Sequence, residues 1–170
     1  EPFFAALQHL LERRPELRLR FVAYTQNIRM MQDFIKRYPL AGARASVGPR
    51  VGHREIVARY GQADLMILSA LDDLSVPGKL FEYIRSGTPV LAFTTPAAAA
   101  GPMLERTGTG WAVPHDDVAA GALRLEQIYD CWASGQPLTR PEPAEVAQLE
   151  RRVAFAGLFR GLDELVGQRG

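Results

Sequence analysis

The chain has 170 residues, of which 47% are hydrophobic and 23% are charged, and its formal net charge is +1. These values fit one globular domain and argue against a strong electrostatic partner such as bulk nucleic acid. The single cysteine, Cys131, excludes a disulfide framework and a cysteine metal cluster, and no apolar run approaches the roughly 18 residues that a membrane-spanning helix needs.

Helices and strands are predicted to alternate along the first part of the chain. Apolar residues repeat at helical spacing from Phe3 to Leu11, and Pro15 ends that helix. Apolar and basic residues alternate over 17–23, which predicts the first strand. The next predicted elements are a helix over 28–38, a weak strand over 43–47, a short helix over 53–61 and a buried strand over 65–68.

The stretch 75–93 is predicted to form a loop, a helix, a tight turn and a buried strand. Ser75 is an N-cap candidate, and Pro77 suits the first helical positions because its missing N–H costs nothing there. Gly87 stands where a C-terminal glycine cap is expected. The apolar run 89–93 is typical of a strand covered on both faces.

The start of this helix is a candidate anion site. N–H groups at a helix N-terminus lack intrahelical partners and are suited to phosphate binding. Here they lie beside Gly78 and Lys79, and the lysine would add a positive charge. A plainer interpretation stays open, in which Lys79 and Glu82 form an ordinary surface pair three positions apart.

The remainder of the chain continues the same alternation. The predicted elements are a helix over 97–106 interrupted at 101–102, a strand over 108–113, a long helix capped by Asp116 or Asp117, a linker over 135–143 and a final helix over 145–166. Alternating elements with short connections predict the α/β class, with a Rossmann-like parallel sheet flanked by helices on both faces. Such sheets bind ligands outside the carboxyl ends of their strands. We therefore expect the loops after Val47, Leu68 and Phe93 to meet around a phosphate-bearing ligand.

Residues 63–93 resemble the nucleotide-binding core of the C-terminal domain of retaining glycosyltransferases with the GT-B fold. The matching features are Ser69 at a strand end, the acidic pair Asp72 and Asp73, the turn 76–78, Glu82 and the motif 86–90. The flanking segments 46–53 and 108–113 are similar to that family as well, so the resemblance covers nearly the whole chain. It implies one half of a GT-B two-domain enzyme. Residues 1–140 would form the nucleotide-sugar-binding domain, with its first strand missing, and 141–170 a helix crossing back toward an N-terminal domain.

The resemblance also implies roles for individual residues. Glu82 would accept hydrogen bonds from the ribose hydroxyls of a sugar donor. The further nucleotide-binding residues would be Val76, Pro77, Gly78 and Lys79 near the diphosphate, and Arg50 and Val51 beside the base. The donor-sugar or phosphate loop would contain Asp72, Asp73, Leu74 and Ser75.

Leu74 departs from the family pattern. Relatives often carry two glutamates with seven residues between them, and Leu74 stands at the earlier position. Asp72 or Asp73 could replace the missing carboxylate. No metal is expected here, because two adjacent carboxylates point in different directions and no further ligand is spaced near them.

The resemblance implies a hexosyltransferase-type enzyme of polysaccharide biosynthesis. Its donor-binding domain would hold a UDP- or GDP-type nucleoside diphosphate sugar, and the sugar would pass to a glycan or lipid-linked acceptor. We expect no cofactor other than this donor, catalytic groups in the N-terminal domain, and no activity from these 170 residues alone. The expected location is the cytoplasm, with peripheral association at the inner face of the membrane. Alternatives are a nucleotide-sugar epimerase or phosphorylase of the same fold, and a non-catalytic module that lost the donor site.

Overall fold

Five strands alternate with eight helices along residues 1–73 and 76–149, which the computed structural model describes. The strands are β1 (Phe21–Ala23), β2 (Ala45–Val47), β3 (Met66–Ala70), β4 (Val90–Thr94) and β5 (Gly110–Pro114). The helices are α1 (Pro2–Arg13), α2 (Ile28–Arg37), α3 (Pro39–Ala43), α4 (His53–Tyr60), α5 (Gly78–Ser86), α6 (Ala100–Thr107), α7 (Val118–Ala133) and α8 (Pro143–Gln148).

These strands form two parallel sheets. In the first sheet, β1 lies beside β2, with Phe21 opposite Ala45. In the second, β4 lies between β3 and β5, and Leu91 stands opposite Ile67 and Trp111. Each connection between consecutive strands contains at least one helix, as parallel neighbours require. The predicted α/β class, with a Rossmann-like parallel sheet flanked by helices, is therefore confirmed.

Alternate residues of β4 divide the core into two layers. Leu91 and Phe93 belong to a cluster that contains buried residues of α1, α2, α3 and α7. Val90 and Ala92 belong to the opposite cluster, which contains buried residues of α4, α5 and α6. All residues of β4 are buried, as expected for a strand covered on both faces.

A cleft of about 1560 Å³ lies between the two sheets. All of β1 lines one side, and Met66 and Ile67 of β3 line another. Apolar side chains of α1 and α7, among them Leu10 and Leu125, also face it. Within the described residues β1 pairs with β2 alone and β3 pairs with β4 alone. The edges of β1 and β3 that border the cleft are therefore unpaired.

The first strand is shorter than predicted. It begins at Phe21 rather than at residue 17, because the chain still turns after α1: the N–H of Leu17 donates to the carbonyl of Arg14 at 3.3 Å. Leu17 is nevertheless buried in the first cluster. The apolar alternation therefore located a core contact correctly but assigned strand geometry to residues 17–20, which precede the first paired residue of β1.

The helix predicted over 28–38 ends at Arg37, and Pro39 opens a separate short helix, α3. Tyr38 between them has φ −120° and ψ 81°. A proline disfavours helical geometry at the residue before it, which accounts for the break.

Two later predictions are refined. The helix predicted over 97–106 begins only at Ala100, so residues 101–102 lie in its first turn and do not interrupt it. Proline is tolerated in a first turn because the N–H it lacks has no intrahelical partner there. Of the two cap candidates, Asp117 caps α7, since its Oδ1 accepts from the N–H of Ala120 at 2.8 Å. The final predicted helix is described only as α8, and the rest of it lies outside the described residues.

Helix α7 packs closely on α1 and β4 through Gly121. A Cβ atom there would stand 2.9 Å from Cβ of Ala6 and 2.8 Å from Cε1 of Phe93. Phe93 is 1% exposed and has little room to move. We expect Gly121→Ala to lower the free energy of unfolding by about 1–3 kcal/mol, the usual cost of overpacking, measured by urea denaturation.

Gly61→Ala is the matched control for this prediction. Gly61 has a negative φ, and a Cβ there would meet nothing within 4 Å. It should leave the unfolding midpoint nearly unchanged. Equal unfolding free energies for Gly121→Ala and Gly61→Ala would contradict the close packing of α7 on α1 at Gly121.

Candidate functional site

Residues that follow the ends of neighbouring strands line the cleft. Tyr24 and Thr25 come directly after β1, and Arg50 and Val51 lie in the loop after β2. Lys79 and Glu82 reach the cleft from the first turns of α5. Four of the residues predicted from the sequence, Arg50, Val51, Lys79 and Glu82, are therefore brought together.

The loops after β3 and β4 are joined by a hydrogen bond. The hydroxyl of Thr95 donates to Oδ1 of Asp73. Asp72 and Asp73 are exposed and lie outside the cleft lining. Within the part of the chain that the structure describes, no group of three or more His, Cys, Asp or Glu side chains could hold a metal ion.

Helix α5 begins later than predicted. Its N-cap is Pro77, whose ψ of 127° is extended and whose side chain makes no capping hydrogen bond. The helix therefore starts two residues later than a cap at Ser75 would place it, and Ser75 and Leu74 themselves lie outside the described residues. The carbonyl of Pro77 accepts from the N–H of Leu80 at 2.9 Å. At the other end, Gly87 closes the helix with φ 76°, as predicted.

The first turn of α5 has a mixed environment. Gly78 and Lys79 are exposed, whereas Pro77 is half-buried and Val76 packs against the core cluster around α4 and α5. Of these four residues, Lys79 alone lines the cleft. Between the described side chains of Lys79 and Glu82 there is no ion pair within 4.0 Å.

A tyrosine holds the Glu82 carboxylate. The hydroxyl of Tyr60, the last residue of α4, donates to Oε2 of Glu82 at 3.2 Å. Tyr60 is 6% exposed, and its ring meets that of Tyr83 edge-on, with centroids 5.0 Å apart. Burial raises the pKa of Tyr60 to about 12, with smaller contributions from Tyr83 and Glu82. The phenol is therefore a neutral hydrogen-bond donor at ordinary pH.

Arg59, which also lines the cleft, connects α4 to the loop after β1. Its Nη1 donates to the hydroxyl of Tyr24 at 2.9 Å, and its guanidinium carbon lies 5.2 Å from the centre of that ring. Its Nη2 pairs with Glu55 at 2.6 Å. The buried Nε has no hydrogen-bond partner among the described residues.

Sequence reasoning missed Tyr24, Arg59 and Tyr60 as site residues. Their contacts span 35 positions from Arg59 to Tyr24 and 22 positions from Tyr60 to Glu82. No local pattern reports contacts over such distances. The only available signal was that α4 directly follows the loop predicted to lie beside a base.

The doubly wound α/β fold, with helices on both faces of its parallel strands, is that of a Rossmann-like domain. The chain belongs to the family described as "Glycosyl transferases group 1", whose model matches residues 1–131. It is therefore a glycosyltransferase domain.

A solved structure has a similar fold. The chain is similar to sucrose-phosphate synthase from Thermosynechococcus elongatus, with a TM-score of 0.67 and 19% sequence identity. The match covers 98% of this chain and 43% of that chain, so the present chain spans less than half of that protein. The comparison with curated proteins gave no match. Among the described helices, none combines the length and apolar character that a bilayer crossing demands.

The raised pKa of Tyr60 predicts a loss of stability at alkaline pH. The unfolded phenol ionises near pH 10 and the folded one near 12, so the stabilisation is complete below about pH 10 and is lost as pH rises toward about 12. Tyr60→Phe removes this dependence. We expect the difference in unfolding free energy between the parent chain and Tyr60→Phe to shrink between about pH 9 and about pH 11, measured by urea denaturation. A constant difference would contradict the assigned burial.

Proposed function

We propose that this chain is the donor-binding domain of a hexosyltransferase-type glycosyltransferase. The enzyme would move a sugar from a UDP- or GDP-type nucleoside diphosphate sugar to a glycan or lipid-linked acceptor, as in polysaccharide biosynthesis. The observation that carries the proposal is the Glu82 carboxylate, which Tyr60 holds at the wall of the cleft.

The chemistry of the cleft suits a nucleotide. An ionised carboxylate such as that of Glu82 can accept two O–H groups at once, which matches the two hydroxyls of a ribose. Val51 is half-buried and Arg50 is exposed in the same cleft, and both would flank the base. Ribose and base would then be held by α5 and by the loop after β2.

The diphosphate would lie at the start of α5. The N–H groups of Gly78 and Lys79 are in the first turn, where intrahelical partners are lacking. No side chain would block an approaching phosphate at Gly78, since a Cβ there would meet nothing within 4 Å. Lys79 would add a positive charge as negative charge develops on the leaving nucleoside diphosphate. The role of residues 72–75 in holding the donor sugar stays a prediction.

Acceptor binding and the catalytic step would need other segments of the whole protein. We infer that an N-terminal domain provides the acceptor site and the catalytic groups, and that residues 141–170 cross back toward it. These 170 residues alone should then transfer no sugar. The single cysteine favours a reducing compartment, which supports a cytoplasmic location. Peripheral association at the inner face of the membrane stays a prediction.

The direct test is nucleotide binding by the whole protein. We expect UDP or GDP to bind in isothermal titration, and Glu82→Ala to weaken binding by roughly 10- to 100-fold, because a hydrogen-bonded charge contributes about 1.5–3 kcal/mol. Lys79→Ala should cost less, at most roughly fivefold, since the side chain is exposed.

Two exposed residues away from the cleft provide matched controls. Glu105→Ala removes a carboxylate from α6, and Lys36→Ala removes an ammonium from α2. Neither should change nucleotide affinity. Unchanged affinity in the folded Glu82→Ala variant would refute the assigned ribose contact. Absence of any nucleotide binding by the folded whole protein would favour the non-catalytic alternative.

We also propose that one more parallel strand, the segment preceding Glu1 in the whole protein, fills the apolar part of the cleft between β1 and β3, beside Leu10 and Leu125. The part of the cleft near Arg50, Lys79 and Glu82 is then left for the nucleotide. Helix α1 lies in the same layer as α2 and α3, which connect β1 to β2. Crossovers between parallel strands are right-handed, so helices in one layer lead in one direction across the sheet. A strand leading into α1 must therefore lie on the side of β1 opposite β2. That side is the cleft.

The two unpaired strand edges supply the test. The N–H of Phe21 donates to Arg44 and that of Met66 to Pro89, so backbone alternation turns the N–H groups of Val22 and Ile67 toward the cleft. In the whole protein these two amides should exchange hydrogen slowly, and in residues 1–170 alone they should exchange at least roughly 10-fold faster. Phe21 and Met66 serve as internal controls. Equal exchange of Val22 and Ile67 in both forms would contradict the additional strand.

A further inference from the structure

Tyr60 is fixed at three points. Its backbone carbonyl accepts from the hydroxyl of Thr88 at 2.7 Å in a buried contact. Its ring packs edge-on against Tyr83, with an interplanar angle of 82°. Its hydroxyl donates to Glu82. A side chain held at backbone, ring and hydroxyl has little freedom, so the position of its O–H is set by the core.

These contacts join α4 to α5 and to the turn that follows α5. Helix α4 starts at His53, directly after the loop that contains Arg50 and Val51, and it ends at Tyr60. Tyr83 and Glu82 belong to α5, and Thr88 lies in the turn that leads from α5 to β4. Tyr60 therefore sets the distance between the loop beside the proposed base and the carboxylate beside the proposed ribose.

The donor that holds Glu82 is a phenol, which is neutral. An arginine or lysine in the same place would neutralise the carboxylate and compete with the ribose for its oxygens. A neutral O–H occupies one lone pair and leaves the negative charge available for further donors. A carboxylate held in one rotamer also loses less side-chain entropy when it binds, and that is the advantage of preorganisation.

We propose that Tyr60 is a positioning residue, which holds the Glu82 carboxylate so that it accepts both hydroxyls of a ribose and discriminates against a deoxyribose. This inference rests on the proposed nucleotide function of the site. It goes beyond that function because it assigns the selectivity for the sugar of the nucleotide to a residue of α4 that need not touch the ligand. Without Tyr60, Glu82 would still be present but would be free to change rotamer.

Tyr60→Phe tests this inference, because it keeps the ring and its packing and removes only the hydroxyl. The whole protein is titrated with UDP and GDP and with their 2′-deoxy counterparts. We expect Tyr60→Phe to weaken the ribonucleotide by roughly 3- to 10-fold and the deoxynucleotide much less, so that the ratio of the two affinities falls. A purely structural role would weaken both ligands equally.

Tyr38→Phe is the matched control. The hydroxyl of Tyr38 also donates to a glutamate, Oε1 of Glu1, at the same distance of 3.2 Å, but this pair does not line the cleft. Tyr38→Phe should leave the affinities for the ribonucleotide and for the deoxynucleotide unchanged. A double variant, Tyr60→Phe with Glu82→Ala, should bind no more weakly than Glu82→Ala alone, because the two residues act through one contact.

The outcomes separate this inference from the function on which it rests. If Glu82→Ala has no effect on ribonucleotide affinity, both the proposed nucleotide site and the proposed role of Tyr60 are refuted. If Glu82→Ala weakens binding while Tyr60→Phe leaves the ratio of ribonucleotide to deoxynucleotide affinity unchanged, only the positioning role of Tyr60 is refuted. A reduced ratio in Tyr60→Phe, with Tyr38→Phe at the parent value, supports it.

Discussion

The rest of the structure depends on the burial of β4 between two parallel neighbours. Its backbone pairs with β3 and β5, and its alternate side chains provide the centre of both core layers. A strand buried on both faces must be apolar throughout, and helices must cover each face. Because α5 leads directly into β4, this constraint also fixes the helix that carries Lys79 and Glu82.

The cleft follows from the way the chain changes direction. Helices in the layer of α1 lead one way across the sheet, and helices in the layer of α4 and α5 lead the other way. Loops diverge where the direction reverses, and parallel α/β folds bind ligands at that point. Among the described strands, the same reversal leaves β1 and β3 each with an unpaired edge, so the proposed binding region lies next to the proposed further strand.

Within the cleft, rigid aromatic contacts position flexible charged groups. Tyr60 packs on Tyr83 and holds Glu82, and Tyr24 stacks under Arg59. Under the proposed function, these contacts would help to hold the ribose and the diphosphate of a donor in fixed relation. The loops after β3 and β4 are joined to each other by the hydrogen bond between Thr95 and Asp73.

The sequence by itself determined the fold class, most elements, and the placement of Glu82 and Lys79 on one helix, because periodicity and the glycine cap at Gly87 act over a few residues. Local signals failed before β1, where alternation predicted a longer strand, and at α5, which starts two residues later than predicted. Only the tertiary structure decided the contact of Tyr60 with Glu82 across 22 positions, and that of Arg59 with Tyr24 across 35. Such contacts arise when helices from separate crossovers pack on one sheet, and no short segment of the sequence encodes them.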